Sequence, residues 1–312
     1  MEYQTLGNRA LKVSRFCFGG CPMGQYGWGY VEENNLIKAI NTAIDHGINF
    51  FDTSDTYGLG KSEINLGEGL GNRRSEVVIA SKFGVRVEKG KTFYDNSPEY
   101  IEKALFASMK RLRTDYIDLY QVHYRDGKTP LYTVVEKLEQ LKKQGYIRHA
   151  GLCNVHKEDA EEIKASGDFF ITVQDEYSLA CRKNEQELKM YYKDCGMNSL
   201  TWGSLGQGIL TGEYDANTVF GSDDRRSREI YVNFHGEKLK SNLRIVEVIR
   251  NIAETHNVSC AAVAIRFILD YLDDSIVLAG VKNEEEVLLN IASLGWHLTK
   301  DEIDSLDKIS KE

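Results

Sequence analysis

Four residues able to hold, move or steady a proton fall within the first 123 positions of the chain: Asp52, Tyr57, Lys82 and His123. Three of them end short apolar runs, FFD at 50–52, VVIASK at 77–82 and IDLYQVH at 117–123, and Tyr57 follows the first run by five residues. Taken singly, each has an ordinary structural use: a helix cap, a snorkelling ammonium, a satisfied core imidazole, a loop aromatic. Together they make a proton-transfer device, because a phenol with a pKa of about 10 is a poor acid near neutrality until a neighbouring ammonium stabilises its phenolate. Lys82 would supply that ammonium and Asp52 would keep it charged and aimed. His123 would hydrogen-bond the oxygen that receives the proton, orienting a carbonyl against the Tyr57 hydroxyl.

Other chemistries fit less well. The stretch DTYGLGKS at 55–62 nearly spells a phosphate loop, G-x-x-x-x-G-K-[ST], but Asp55 stands where its leading glycine belongs and would repel phosphate. No cysteine or second histidine lies at ligand spacing to His123, and no G-x-S-x-G elbow is present, so neither a metal nor a serine nucleophile is indicated. The six cysteines, Cys17, Cys21, Cys153, Cys181, Cys195 and Cys260, form no C-x-x-C pair and read as buried free thiols.

Residues from separate runs meet only if the runs are neighbouring strands. Eight candidate strands alternate with amphipathic stretches: 16–19, 49–52, 77–82, 117–123, 147–153, 170–174, 198–202 and 275–280. Ser97 and Thr129, each followed by proline, read as helix N-caps, and Gly47, Gly145 and Gly196 lie just past helix ends. Ile101, Leu105, Met109 and Leu112 repeat at helical spacing and give one apolar stripe. Strand–helix alternation without a linker implies one α/β domain over residues 1–312, a closed (β/α)8 TIM barrel. Residues 1–14 read as a hairpin over its bottom, 203–240 as a long polar connection, and Thr299 with Glu302 as the capping box of a last helix outside the barrel. In such a barrel the C-terminal strand ends carry the active site, which is where Asp52, Lys82 and His123 fall.

The formal charge of −8 argues against non-specific nucleic-acid binding, which needs a basic face. The start MEYQTLGNRA lacks a secretory layout, and no run approaches the roughly 18 apolar residues of a membrane helix. A cytoplasmic protein acting on a small-molecule carbonyl or sugar, without nucleic-acid or membrane partners, is expected.

The segments FDTSDTYG, the strand ending in Lys82 and DLYQVH resemble the signature segments of the aldo-keto reductase superfamily. The likeness continues in order through HAGLCNV (149–155), VQDEYSLACR (173–182), WGSLGQGILTG (202–212) and LAGVKNEEEVLLN (278–290). It implies a (β/α)8 barrel that reduces aldehydes and ketones with a nicotinamide dinucleotide and no metal, with Asp52, Tyr57, Lys82 and His123 as its catalytic tetrad. By the same resemblance Asn154 and Gln174 bind the nicotinamide carboxamide, and Trp202 stacks on its ring in place of the usual tyrosine. Gly203, Ser204, Leu205 and Gly208 belong to a segment that wraps the pyrophosphate, and Gly280 to Asn290 hold the adenosine end. Cys153 and Ser204 depart from the serine and proline common in the family. Glu286 stands where an arginine often pairs with the 2′-phosphate of NADPH; its carboxylate would repel phosphate but accept a hydrogen bond from a ribose hydroxyl. Lys282, four residues earlier, offers a compensating charge, so NADP(H) with relaxed preference is expected and NAD(H) is the alternative. Two rival readings are a redox-sensing regulatory subunit with slow turnover and a biosynthetic reductase gripping an anionic sugar through Arg225 or Arg226. Tyr26, Trp28 and Tyr30, with Phe93, Tyr94 and Tyr124, are candidates for the mouth of the site.

Overall fold

The computed structural model describes residues 1–7, 11–28 and 31–312. A hairpin of β1 (Tyr3–Leu6) and β2 (Leu11–Ser14) precedes the first barrel strand, β3 (Phe16–Gly19). Helix α1 (Glu33–Asp45) leads to β4 (Phe50–Asp52), and α2 (Lys61–Leu70) to β5 (Val78–Phe83). A small hairpin, β6 (Val85–Glu88) and β7 (Lys91–Tyr94), then precedes α3 (Pro98–Leu112) and β8 (Ile117–Val122). Next come α4 (Leu131–Lys143), β9 (Ile147–Cys153), α5 (Ala160–Ala165), β10 (Phe170–Glu176), α6 (Glu185–Cys195) and β11 (Asn198–Trp202). The chain ends through α7 (Gly236–His256), α8 (Cys260–Tyr271), β12 (Ile276–Gly280), α9 (Glu284–Ile291) and α10 (Lys300–Ser310).

Strands β3, β4, β5, β8, β9, β10, β11 and β12 pair in that order, all parallel, and β12 closes onto β3. The (β/α)8 barrel and all eight expected strands are therefore present, each within a residue or two of its anticipated bounds. The bottom of the barrel is filled by Cys17, Phe50, Val78, Ala80, Leu119, Leu200, Ile276 and Leu278, and the hairpin's Leu6 and Val13 join that apolar cluster. Strand side chains alternate with a period of two. The faces that place Phe50, Val78 with Ala80, and Leu119 in the apolar layer therefore send Asp52, Lys82, Gln121 and His123 inward above it.

The α3 stripe is buried as expected, and Ser97 Oγ accepts from the Tyr100 N–H at its N-cap. Thr129 is not the cap of α4: that helix starts two residues on, capped by the backbone of Pro130, and the Thr129 hydroxyl donates to Asp126. The stretch after β11 is mostly short 3-10 turns, and α7 already begins at Gly236. Thr299 and Glu302 form the expected capping box. Only Cys17 and Cys153 are fully buried; the other four cysteines are partly open, and all six are free. Among the described residues no single helix is long and apolar enough to cross a membrane.

Candidate active site

Lys82 has no exposed surface, so its ammonium must be satisfied by the protein. It spends three donors on three acceptors: Asp52 Oδ1 at 2.6 Å, the Thr53 carbonyl at 3.0 Å and Tyr57 Oη at 3.1 Å. Burial alone would strip the ammonium of its proton, but the Asp52 carboxylate outweighs it and the pKa is raised. The other carboxylate oxygen, Asp52 Oδ2, accepts from Gln174 Nε2 at 2.9 Å and from Gln121 Nε2 at 3.4 Å. A Cβ at Gly151 would sit 2.3 Å from Thr172 Oγ1 and 3.2 Å from the Gln121 side chain, so that strand position has to stay bare.

Tyr57 is carried by the loop between β4 and α2. A Cβ at Gly58 would lie 2.0 Å from the Gly24 carbonyl, which fixes the close approach of this loop to the one after β3. The near-match to a phosphate loop is structural: Ser62 Oγ donates to the Gly20 carbonyl at 2.7 Å, and Lys61 pairs with Glu33. Tyr57 and His123 meet edge to face with ring centroids 6.0 Å apart. Contrary to the sequence expectation, the Tyr57 phenol is not acidified. Burial pushes it up and Lys82 only partly offsets that, so the hydroxyl keeps its proton. Burial, then Lys82, hold His123 well below the ordinary histidine range, and the ring is neutral.

The aromatic surroundings follow the sequence in part. Tyr94 stacks on Tyr124 at 5.1 Å and Tyr124 on His123 at 5.1 Å, forming a wall beside the tetrad, while Phe93 turns away to the Arg86 guanidinium. Tyr26 and Trp28 lie under Arg225, whose N–H also donates to the Gly27 carbonyl, so the segment after β11 is strapped to the loop after β3. Tyr30 lies outside the described residues. Arg226 is fully committed: it binds Asp224 through Nε and Nη2 and the Tyr214 hydroxyl through Nη1.

Residues expected to meet a dinucleotide occupy the same end of the barrel. Asn154 follows β9 in a left-handed conformation, with φ of 52°, and donates Nδ2 to the His123 carbonyl. Trp202 ends β11, half-buried. Gly203, Gly206, Gln207 and Gly208 all have positive φ, which curls the backbone into a concave turn. Among the described residues the Ser204 and Leu205 N–H groups have no partner, so such a turn fits a pyrophosphate. The Asn290 amide likewise makes no hydrogen bond among the described residues although the residue is buried. Past Gly280, Glu286 is spent locally: its carboxylate accepts from the Lys282 N–H at 2.8 Å and lies 3.5 Å from the Lys282 ammonium. These donors and the concave turn fit a dinucleotide.

The sequence profile of the aldo/keto reductase family matches residues 15–311. The chain belongs to the aldo/keto reductase family. Membership makes it a nicotinamide-dependent oxidoreductase of carbonyl compounds. It is 30% identical to the aldo-keto reductase YhdN of Bacillus subtilis, over 99% of this chain and 93% of that one. It is 32% identical to the Schizosaccharomyces pombe aldo-keto reductase yakc, whose name specifies NADP(+), over 93% and 86%. Among solved structures, a glycerol dehydrogenase from Gluconobacter oxydans is similar with a TM-score of 0.89 at 30% identity, covering 98% of this chain and 94% of that one. An aldo-keto reductase from Bacillus halodurans in its holo form gives 0.79 at 25%, covering 99% and 96%.

Sequence reasoning about this aldo/keto reductase missed the groups that brace the tetrad. Gln121 stands two residues before His123 on one strand face, so the period of two pointed to it. Ser54 and Asp55 lie inside the quoted FDTSDTYG segment, but their spacing gave no sign that Ser54 Oγ would reach His123 Nδ1 at 3.3 Å and Asp55 Oδ1 at 3.1 Å.

Proposed function

We propose that this reductase interconverts a small carbonyl compound and its alcohol using NADP(H), with Tyr57 as general acid in reduction and general base in oxidation. The observation that carries the reading is the Lys82 ammonium held 3.1 Å from Tyr57 Oη and clamped by Asp52. When bound, the nicotinamide supplies or accepts the hydride. Tyr57 holds a proton at Oη until a carbonyl oxygen gaining negative charge draws it off, and Lys82 then stabilises the phenolate left behind. The neutral His123 ring steers the reacting oxygen toward Oη. The wall of Tyr94 and Tyr124 keeps bulk water from one side.

On the cofactor side, Ser204 and Leu205 N–H groups would hold the pyrophosphate, Asn154 and Trp202 the nicotinamide, and Lys282 and Asn290 the adenosine end. The likeness to a glycerol dehydrogenase supports a short hydroxylated alcohol or aldehyde as substrate. The ion pair of Arg226 with Asp224 disfavours it as a grip for an anionic sugar, whereas the Arg225 guanidinium, lying over Tyr26 and Trp28, makes no hydrogen bond among the described residues and stays available for one.

Tyr57→Phe tests the reading with NADPH and glyceraldehyde. A loss of at least about 100-fold in kcat, with the Kd for NADPH within about twofold of wild type, is expected for removal of a general acid. Full turnover in that variant would overturn it. Tight NADPH binding with negligible wild-type turnover across a panel of aldehydes would favour a regulatory subunit instead.

A further inference from the structure

His123 is neutral, so it carries one ring proton, and only one of its nitrogens can donate. Its Nδ1 faces Ser54 Oγ at 3.3 Å, and Nε2 has no partner among the described residues. Whether Nε2 can donate to a carbonyl is therefore decided at Ser54. That hydroxyl has one proton and two lone pairs, and one lone pair already accepts the Thr56 N–H at 3.2 Å. One donor and one acceptor are left for His123 Nδ1 and for Asp55 Oδ1, which lies 3.1 Å away. Thr56 Oγ1, 3.0 Å from Ser54 Oγ, is a third claimant on those two places, so the relay requires its hydroxyl to turn away from Ser54.

The two states of Asp55 then dictate opposite tautomers. An ionised Asp55 can only accept, so Ser54 donates to it and must accept from Nδ1–H, leaving Nε2 as a bare lone pair. A protonated Asp55 donates to Ser54 Oγ, which frees the Ser54 proton for Nδ1 and leaves the ring proton on Nε2. Passing from the second state to the first, the Asp55 proton moves to Ser54, the Ser54 proton moves to Nδ1, and the Nε2 proton leaves into the cleft. One proton is released in all, and His123 is neutral before and after.

We propose that Asp55 is a positioning residue which, through Ser54, sets the tautomer of His123 and hence whether the ring offers a donor or an acceptor to the reacting oxygen. This rests on the reading of His123 as the group that steers that oxygen. A donor on Nε2 suits a carbonyl oxygen and so favours reduction; a bare lone pair there withdraws that donor and so slows it. The switch falls in a useful range, because burial, and then the charge of Glu63, push Asp55 up to about 7. The groups facing Asp55 are Glu63 on α2, Arg111 and Tyr100 on α3, Lys82 on β5 and Tyr120 on β8. Glu63 is itself held by Arg111 at 2.6 Å and by Ser81.

The test is the ring nitrogen spectrum of the full-length protein labelled with 15N-histidine, with His123 assigned by its loss in His123→Gln. The wild type should carry the proton on Nε2 at about pH 5.5 and on Nδ1 at about pH 8.5, with a midpoint near 7. Asp55→Asn, whose amide can donate to Ser54 at every pH, should hold the Nε2–H tautomer throughout, and Ser54→Ala should abolish the dependence on Asp55. In parallel, wild-type kcat/KM for glyceraldehyde reduction should fall by about 10-fold or more across the same range, as for loss of one donor to the reacting oxygen. Asp55→Asn should flatten that fall. A single tautomer across the range in wild type, or a midpoint unmoved by Asp55→Asn, overturns the proposal. The spectrum is read without turnover, so a fixed tautomer in an active reductase sinks this inference alone, whereas absence of carbonyl reduction sinks the functional reading.

Discussion

Gln174 donates its amide to Asp52 Oδ2 at 2.9 Å, reaching across the barrel to a residue 122 positions earlier in the chain. The resemblance assigns that side chain to the nicotinamide; one of its two amide N–H groups serves the acid that aims Lys82, and Oε1 accepts from nothing among the described residues. Removing it leaves the buried Oδ2 with only the long contact to Gln121, and an underserved buried carboxylate costs about 1–3 kcal/mol. Gln174→Leu should therefore lower unfolding stability by that order, read by urea denaturation, and cut kcat more than it weakens cofactor. A rise of about 10-fold or more in the NADPH Kd with stability unchanged would give Gln174 to the carboxamide and not to Asp52.

The Asp52–Lys82 pair predicts a non-additive cycle. Lys82 is completely buried, and Lys82→Met strands the Asp52 charge against an apolar side chain, a loss of about 3–5 kcal/mol. Asp52→Asn added to it removes the stranded charge. The double variant should be more stable than Lys82→Met alone, while both are inactive as reductases. Simple additivity in urea denaturation would mean the two side chains do not depend on each other.

The barrel was legible because its signals are local and repeated: apolar runs of strand length, helix caps, and acid, base or imidazole at strand ends. The meeting of Asp52, Tyr57, Lys82 and His123 was legible for the same reason, since adjacent parallel strands bring their last residues together. What stayed hidden depends on angles between elements. Thr129 looked like a cap because it precedes a proline, yet Asp126 captures its hydroxyl. Tyr57 looked acidified because a lysine is near, yet desolvation of the phenol outweighs that lysine, a balance set by packing and invisible to spacing. The relay from Asp55 to His123 needs a serine to face two residues at once, which no sequence interval encodes.

Asp55 also makes a prediction about stability. Its folded pKa of about 7 lies above the ordinary value, so the native state binds the proton more tightly than the unfolded chain. Stability from this group is whole below about pH 4, is lost as pH rises to about 7, and is flat beyond. Asp55→Asn removes that loss. Its advantage over wild type should be near zero at about pH 4 and reach about 1–3 kcal/mol at about pH 8, by denaturant titration at each pH. A pH-independent difference would place the Asp55 carboxyl in ordinary solvent.

With the adenosine end placed as proposed, cofactor choice turns on the Lys282–Glu286 pair at the start of α9. The Glu286 carboxylate accepts from the Lys282 N–H and lies 3.5 Å from its ammonium, so the cation best placed for a 2′-phosphate is already half-neutralised. Glu284 and Glu285 add negative charge to the same turn. NADPH gains Lys282 but meets three carboxylates; NADH gains a possible acceptor in Glu286 and loses nothing. Kd values for the two should lie within about 10-fold, since the opposing contacts are partly exposed and each is worth no more than about 1 kcal/mol. Glu286→Gln keeps the hydrogen bond to the Lys282 N–H but releases its ammonium, and should tighten NADPH by about 3–10-fold while leaving NADH within about twofold. That shift should shrink as salt is raised, because it is Coulombic. An equal effect on both cofactors would show that Glu286 acts only as a brace for the helix.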